Sequence, residues 1–300
     1  IPCAIMIQEE IENLLDFKLN INKLFMDKKY SNSIILRECK FENEEEYKIE
    51  IKENEAIIEG SGAGLFYGCQ SFRQLVREFG ACIPNLTIED SPYFKYRGFY
   101  HDVTRGMVPT LDTLKSLVDK AAFYKINQLQ LYIEHTFAFK GMSEVWMDKD
   151  PLTAEEILIL DKYCKERHVE LVPSLSTFGH LYEALRSKSF RELCELEIGD
   201  EEYSFVDRMA HHTLDVTNPK SLDFVESMLL EFIPLFSSDK FNICCDETFD
   251  LGKGKSREKA EKLGVGKIYT EFLNKVYNIV KRFNKNVMFW GDIIVGYPEL

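Results

Sequence analysis

The sequence contains no long apolar run and no excess of positive charge, and both absences limit its function. No stretch approaches the roughly 20 apolar residues of a membrane-spanning helix. Lysine and arginine number 37 against 50 aspartates and glutamates, so the formal net charge is −13. Nucleic acids and anionic membranes attract clustered positive charge. We therefore expect neither as a partner.

The eight cysteines lack the C-x-x-C spacing of many zinc sites and redox motifs. Most lie in apolar settings, such as Cys164 in LDKYCKERH, and buried free thiols are typical of a reducing compartment. The first ten residues also lack the basic and apolar regions of a signal peptide. We predict a cytoplasmic protein without a metal or cofactor. The oligomeric state is not predictable from the sequence.

Residues 1–90 predict a small α+β N-terminal domain. Polar and apolar residues alternate over 45–53, and a second extended stretch follows an Asn-containing turn at 55–62, which predicts a hairpin. Residues 62–80 have helical periodicity with a glycine at the end. Two prolines in 82–94 indicate an extended linker.

From residue 91 onward strands alternate with helices, which is typical of parallel βα units. The predicted strands are 96–103, 126–133, 169–175, 241–245 and 286–290. The predicted helices are 110–125, 153–168, 219–236 and 265–283, with a helical insertion near 180–196. Thr153 and Glu156 have capping-box spacing at one helix start.

The strand count favours an incomplete barrel. A (β/α)₈ barrel needs eight strands and typically about 250 residues. An open doubly wound sheet closes with five strands, but usually has a glycine-rich turn after the first, where this chain has TRGMVPT. We predict an α/β fold in which residues 91–300 form the first five strands of a (β/α)₈ TIM-type barrel, and we expect the natural protein to continue beyond Leu300.

Active sites of such barrels lie at the carboxyl ends of the strands. The first predicted strand has Arg97 at its start, and its carboxyl end leads to His101, Asp102 and Arg105. The ends of the later strands add Glu134, His135, His180, Asp246, Glu247, Trp290 and Asp292. Paired carboxylates beside aromatic side chains are typical of glycoside hydrolysis. Asp246 and Glu247 are adjacent, so they are badly placed to flank one bond and are better suited to unequal roles.

Five motifs occur in one order along the chain. They are GAGLFYGCQSFRQL (62–75), IEDSPYFKYRGFYHDVTRG (88–106), STFGH (176–180), LDVTNP (214–219) and CCDET (244–248). Together they resemble glycoside hydrolase family 20, the β-N-acetylhexosaminidases, in its bacterial form. This family uses the substrate's own acetamido group as nucleophile.

The resemblance implies a role for each matching residue. Glu247 is the expected general acid/base, and Asp246 is expected to bind the acetamido N–H and stabilise the oxazolinium. His180 with Glu134 is expected to orient Glu247. The expected substrate-binding residues are Arg97, Trp290, Asp292 and His135, with Arg97 on the ring hydroxyls and Trp290 beside the acetamido group.

Two departures from the family pattern are visible. At strand two, LYIEHTF replaces the His-x-x-Asp-Asp of many members, so the partner of His180 is open. The Tyr, Asp, Trp and Glu that later strands supply in the family have no counterpart here.

The implied function is exo-acting removal of terminal GlcNAc or GalNAc from glycoconjugates or oligosaccharides by substrate-assisted retaining hydrolysis. A carbohydrate with a terminal N-acetylhexosamine is the expected partner. One alternative is another retaining glycosidase whose nucleophile lies beyond residue 300. The other is a non-catalytic sugar-binding fragment.

Less specific interpretations remain for single residues. The acid pair is also consistent with a solvated strand end, His180 with a scaffold histidine, and Arg97 with a salt bridge. Asp102 and Arg105 are expected to pair with each other or with neighbouring residues as scaffold. The stretch GKGKS (252–256) fails the phosphate-loop pattern because position 249 is Phe, and His211-His212 lack a third ligand for a metal.

Overall fold

A computed structural model describes residues 1–23, 30–199 and 203–298, without the side chain of Ala210. The chain forms two compact units. The first contains Ile1–Arg97 with Leu117–Asn127 and Glu166–Val169, and the second contains the remaining described residues.

The first unit contains a four-stranded sheet and two long helices. The strands are β1 (Ser33–Glu38), β2 (Tyr47–Lys52), β3 (Glu55–Gly60) and β4 (Leu86–Asp90), in the order β1-β3-β2-β4. The helices are α1 (Pro2–Leu15) and α2 (Ala63–Phe79). The predicted hairpin is confirmed, because β2 and β3 pair antiparallel with Tyr47 opposite Gly60. The predicted helix at 62–80 is confirmed as α2.

One prediction for this unit was wrong, and two of its elements were not predicted. The linker predicted at 82–94 contains β4, which pairs antiparallel with β2. Pro84 and Pro92 lie on either side of this strand, so neither interrupts its hydrogen bonds. No sequence pattern had indicated α1, or β1, which runs parallel to β3.

The second unit contains a parallel sheet of five strands in chain order. They are β5 (Gly98–Asp102), β6 (Gln128–Ile133), β7 (Glu170–Leu175), β8 (Lys240–Asn242) and β9 (Asn286–Met288). The helices are α3 (Leu111–Phe123), which also contributes to the first unit, α4 (Ser143–Trp146), α5 (Ala154–Lys165), α6 (Tyr182–Arg186), α7 (Phe205–Ala210), α8 (Pro219–Phe232), α9 (Arg257–Leu263) and α10 (Val265–Lys281). These are consecutive βα units of a (β/α)₈-type barrel, so the predicted fold class is confirmed.

The two faces of this sheet differ in polarity because side chains alternate along each strand. Leu129 and Leu131 of β6 are buried on one face. On the other face Tyr100 and Ser174 are hydrogen-bonded at 2.9 Å. This polar face leads to the strand ends that carry the acid pair.

Helix boundaries largely follow the sequence. Thr153 and Glu156 form the predicted capping box, since each side chain binds the other's backbone N–H, at 2.9 and 3.2 Å. The helical insertion predicted near 180–196 is confirmed by α6 and a 3₁₀ turn at Arg191–Leu193. Within the part of the chain that the structure describes, no helix is long and apolar enough to cross a membrane.

The last two strands are shorter than predicted. The strand predicted at 241–245 ends at Asn242, whose side-chain oxygen accepts the Cys244 N–H at 2.9 Å and turns the chain. Cys244 and Cys245 then have left-handed φ values of 58° and 62°. Cys244 and Cys245 therefore do not belong to the strand that was predicted to include them. β9 similarly ends at Met288, before Trp290.

Candidate active site

Asp246 and Glu247 emerge from buried chain at the carboxyl end of β8. Phe241 and Ile243 before them are fully buried. The Asp246 side chain is 20% exposed and that of Glu247 44%. Glu247 also has a left-handed φ of 46°. Such conformations in non-glycine residues cost of order 1–3 kcal/mol and persist only where surrounding contacts impose them.

Four hydrogen bonds from three neighbouring segments impose this conformation. Each binds a backbone group of the segment 243–247. They are Thr177 Oγ1 to the Ile243 carbonyl at 2.7 Å, Tyr269 Oη to the Cys245 carbonyl at 2.9 Å, the Trp290 N–H to the Cys244 carbonyl at 3.0 Å, and the Glu247 N–H to Asp292 Oδ2 at 3.0 Å. The acid pair is therefore held by the chain after β7, by α10 and by the chain after β9.

Gly179 allows the loop after β7 to approach the acid pair. A Cβ at this position would lie 2.6 Å from the Asp246 carbonyl oxygen. Only a residue without a side chain fits there without a shift of backbone. The next residue, His180, is thereby placed beside both acids.

His180 lies between the two carboxylates. Its Nε2 atom is 3.4 Å from Asp246 Oδ2 and 3.2 Å from Glu247 Oε2, and its side chain is 2% exposed. The contacts are short enough for ion pairs but are not aligned as hydrogen bonds. Burial lowers the pKa of His180, but Asp246 and then the charge of Glu134 oppose it, and the net pKa is raised.

Glu134 lies at the end of β6 in a buried network. Its Oε1 accepts from Tyr132 Oη at 2.7 Å and from Arg105 Nη2 at 3.2 Å. Burial raises the pKa of Glu134, and the bond from Tyr132 and the charges of Arg105 and His180 only partly offset this. No hydrogen bond joins Glu134 to His180 among the described residues, so the two interact through their charges.

Asp102 and Arg105 form a turn after β5. Asp102 Oδ1 accepts the Thr104 and Arg105 N–H groups at 2.9 and 3.0 Å. Arg105 Nη1 lies 3.5 Å from Asp102 Oδ2. The predicted pairing of these two residues is confirmed, but the contact of Arg105 with Glu134 was not foreseen.

His135 is a mostly buried neighbour of this network. Burial lowers its pKa to about 4, so the ring is neutral near pH 7. Its Nδ1 lies 4.0 Å from Glu134 Oε2 and has no hydrogen-bond partner in the described part of the chain. A neutral imidazole can offer either a donor or an acceptor to a ligand. The predicted substrate contact stays a prediction.

Aromatic rings extend from the acid pair along the polar face of the sheet. Trp290 packs edge to face against Tyr100, with ring centroids 5.3 Å apart, and Tyr100 lies 5.9 Å from Tyr132. The Trp290 residue is 42% exposed. The indole is therefore partly accessible, and its role as a pocket wall stays a prediction.

Asp292 and Arg97 have protein partners in the structure. Asp292 accepts the Glu247 N–H, a contact that no sequence pattern indicated. Arg97 belongs to the first unit, where its guanidinium lies 2.8 Å from Glu45 Oε2 and donates to the Lys125 carbonyl at 2.7 Å. Arg97 therefore forms a salt bridge, which the sequence analysis had left open as one interpretation of this residue. Sugar binding by Arg97 and Asp292 stays a prediction.

The GKGKS loop binds a carboxylate of the chain itself. Glu195 is fully buried, and its Oε1 accepts the Gly254 N–H at 3.0 Å and the Ser256 N–H and Oγ at 3.1 and 2.7 Å. The backbone N–H groups that a phosphate loop would offer to a ligand are thus occupied. The prediction that GKGKS is not a phosphate loop agrees with these contacts. The role of Glu195 was not predicted from the sequence.

A second buried carboxylate fixes the chain after the acid pair. Asp250 accepts the His212 N–H at 2.9 Å and lies 3.0 Å from His211 Nδ1.

No cluster of three or more metal-ligating side chains exists among residues 1–23, 30–199 and 203–298. The predicted site residues that the structure brings together are Asp246, Glu247, His180, Trp290 and Asp292, with Glu134 and His135 beside them.

Comparison with known proteins gives two family matches. The model described as "Glycosyl hydrolase family 20, catalytic domain" matches residues 94–299, and "Glycosyl hydrolase family 20, domain 2" matches residues 6–91. Similar curated proteins include "Beta-hexosaminidase" of Vibrio furnissii, 25% identical over 297 residues, which cover 90% of this chain and 48% of that protein. The human "Beta-hexosaminidase subunit beta" is 23% identical over 280 residues, which cover 86% and 49%.

Solved structures have the same fold. The Flavobacterium johnsoniae chitobiase has a TM-score of 0.81 at 22% identity, covering 97% of this chain and 47% of the other. A mutant Streptomyces plicatus beta-hexosaminidase "in complex with product (GlcNAc)" has a TM-score of 0.80 at 22% identity, covering 97% and 59%. The chain spans about half the length of the curated relatives named above. Since the catalytic-domain model matches more than half of its residues, the chain belongs to glycosyl hydrolase family 20.

Proposed function

We propose that the protein is an exo-acting β-N-acetylhexosaminidase that works by substrate-assisted retaining hydrolysis. The observation that carries the proposal is the adjacent acid pair after β8 with His180 within 3.4 Å of both carboxylates. Family membership and the curated names of the relatives support it. The substrate is a carbohydrate with a terminal N-acetylhexosamine.

The two acids have different roles in this proposal. Glu247, the more exposed, protonates the departing glycosidic oxygen and later removes a proton from water. Asp246 accepts a hydrogen bond from the acetamido N–H while the acetamido oxygen attacks the anomeric carbon. Its negative charge then stabilises the oxazolinium that forms.

His180 supports both acids. Its raised pKa favours the protonated ring, which places a positive charge between Asp246 and Glu247. That charge lies 3.4 Å from Asp246 Oδ2, beside the carboxylate that faces the developing cation. Glu134 supplies the negative charge that favours protonation of His180.

The remaining predicted residues are proposed as substrate contacts. Trp290 contributes an aromatic wall beside the acetamido group. Arg97, Asp292 and His135 are proposed to contact the sugar. For Arg97 and Asp292 this requires that their present partners, Glu45 and the Glu247 N–H, be shared or exchanged.

Two further proposals concern the whole protein. We propose a small N-terminal domain at residues 1–90 and a catalytic barrel portion at 91–300, in agreement with the two family matches. We propose a cytoplasmic location, supported by the buried thiols of Cys69, Cys194 and Cys245. Cell fractionation tests the location.

The function is tested with the full-length protein on aryl glycosides. We expect hydrolysis of aryl β-N-acetylglucosaminides, little hydrolysis of aryl β-glucosides, and no loss of turnover in EDTA. Equal rates on both glycosides would favour a retaining glycosidase with its own nucleophile. Binding of GlcNAc without turnover would favour a sugar-binding role instead.

A further inference from the structure

The two oxygens of the Glu134 carboxylate have different surroundings. Oε1 accepts from Tyr132 Oη at 2.7 Å and from Arg105 Nη2 at 3.2 Å. Oε2 lies 4.0 Å from Nδ1 of the neutral His135. Among the described residues, Arg105 is therefore the one guanidinium or ammonium group within salt-bridge distance of Glu134.

A carboxylate in this position needs such a partner. The Glu134 side chain is 11% exposed, and a buried carboxyl group without a compensating charge tends to become neutral. Burial is the largest effect on the pKa of Glu134 and raises it, and Asp102 raises it further. Tyr132, Arg105 and His180 act in the opposite direction.

Arg105 is held for this contact from two sides. Asp102 binds its backbone N–H at 3.0 Å and lies 3.5 Å from Nη1. Nη2 also donates to Tyr132 Oη at 3.1 Å, and the guanidinium carbon lies 5.0 Å from the Tyr132 ring centroid. The turn after β5 thus delivers a fixed cation to the end of β6.

We propose that Arg105 is a positioning residue that keeps Glu134 ionised and holds its Oε1 in place, so that Glu134 stabilises the protonated form of His180. This inference rests on the function proposed above, in which His180 supports Asp246 and Glu247. Arg105 contacts neither of the two acids in the described structure, so its effect passes through Glu134.

The main experiment compares Arg105→Gln with Arg105→Lys in the full-length protein. Loss of an opposite charge at this distance shifts a carboxyl pKa by about 1–3 units. We expect Arg105→Gln to raise the pKa of Glu134 by about one unit or more. The acidic limb of the pH profile of kcat/KM then moves to higher pH. At a fixed pH on that limb, kcat/KM falls about tenfold or more. Arg105→Lys keeps the positive charge, so its acidic limb should lie close to that of the parent.

The experiment must measure the pKa of Glu134 and not that of His180. Removal of Arg105 takes away a positive charge near His180, and this raises the pKa of His180. Protonation of Glu134 takes away a negative charge, and this lowers the pKa of His180. These two effects oppose each other. Carbon-13 NMR of the glutamate carboxyl groups, with Glu134→Gln to assign the signal, reports the Glu134 titration directly. Asp102, Tyr132, His135 and His180 surround the group and stay unchanged in both Arg105 variants.

Arg37→Gln is the matched control. Arg37 forms a 2.7 Å ion pair with Glu59 in the first unit, so the same charge is lost outside the network. We expect its pH profile to equal that of the parent. If Arg105→Gln does not fold, Tyr132→Phe must move the limb in the same direction, because it removes the other bond to Oε1.

An unchanged Glu134 pKa and an unmoved limb in Arg105→Gln would overturn the inference, even if kcat falls at every pH. Failure of Arg105→Lys to restore the limb would overturn it as well. If the parent hydrolyses no hexosaminide, the proposed function fails, and the NMR titration alone still decides whether Arg105 keeps Glu134 ionised.

Discussion

His180 Nε2 lies 3.2 Å from Glu247 Oε2, although the His180 side chain is almost fully buried and Glu247 is partly exposed. The same nitrogen lies 3.4 Å from Asp246 Oδ2. A single imidazole therefore connects both members of the acid pair, and its protonation state affects both.

The first prediction concerns His180→Asn. The folded-state pKa of His180 is raised above 6.5, so its charge stabilises the fold below pH 6.5 and this contribution disappears as pH rises through the raised pKa. We expect the loss in free energy of unfolding caused by the substitution to be largest below pH 6.5 and to shrink at higher pH. Urea unfolding across this range measures it. A loss that grows with pH would contradict the assigned charge.

The second prediction concerns Gly179→Ala. The new Cβ would meet the Asp246 carbonyl oxygen at 2.6 Å, so the acid-pair backbone must move. We expect kcat to fall at least tenfold, which corresponds to about 1.4 kcal/mol of transition-state stabilisation. Gly296→Ala is the control, because no atom of the described residues, its two chain neighbours apart, lies within 4 Å of the position that its new methyl group would take. Equal activity of the two variants would show that the close approach is unimportant.

The third prediction separates two roles of Asp292. If its carboxylate mainly accepts the Glu247 N–H, Asp292→Asn retains an acceptor oxygen and most of the activity, whereas Asp292→Ala loses kcat by about tenfold. If Asp292 mainly binds the sugar as a charged group, both variants raise KM. Initial rates over a range of substrate concentrations distinguish these outcomes.

The fourth prediction concerns Glu195→Gln. The buried carboxylate binds two backbone N–H groups and a hydroxyl of the GKGKS loop, and an amide replaces one acceptor oxygen with a donor. We expect the free energy of unfolding to fall by about 1–3 kcal/mol. The exposed Glu197 provides the control, and Glu197→Gln should change stability by less than about 0.5 kcal/mol. Inorganic phosphate that stabilises the parent would contradict an occupied loop.

The sequence predicted most of the second unit because its signals are local. Thr153 and Glu156 mark a helix start within four residues, and the periodicity of α10 is apparent without any partner. The acid pair was equally visible, since carboxylates after the apolar FNICC stretch are unusual. The positions of Glu134 and His180 followed from the rule that strand ends converge.

The remainder depended on contacts between distant parts of the chain. β1 and β4 gain their strand conformation by pairing with β3 and β2, which no local pattern reveals. The left-handed Cys244 depends in part on Trp290, whose N–H donates to the Cys244 carbonyl at 3.0 Å. Arg105, Asp292 and Glu195 act through partners at least 29 residues away.

In the proposed mechanism Asp246 serves the acetamido group and Glu247 the departing oxygen. Loss of a general acid costs about 10²–10⁴-fold, but a leaving group such as nitrophenolate needs little protonation. We therefore expect Glu247→Gln to lose least with good leaving groups and most with poor ones. Asp246→Asn loses the charge that stabilises the oxazolinium, so its penalty should be similar for every leaving group.

A leaving-group series of aryl β-N-acetylglucosaminides tests these two roles on the full-length parent, Glu247→Gln and Asp246→Asn, with a thiazoline mimic of the cyclic intermediate as inhibitor. We predict a steep dependence on the leaving group for Glu247→Gln only, and weaker thiazoline binding mainly in Asp246→Asn. The reverse pattern would exchange the two roles. No inhibition of the parent by the thiazoline would contradict substrate assistance.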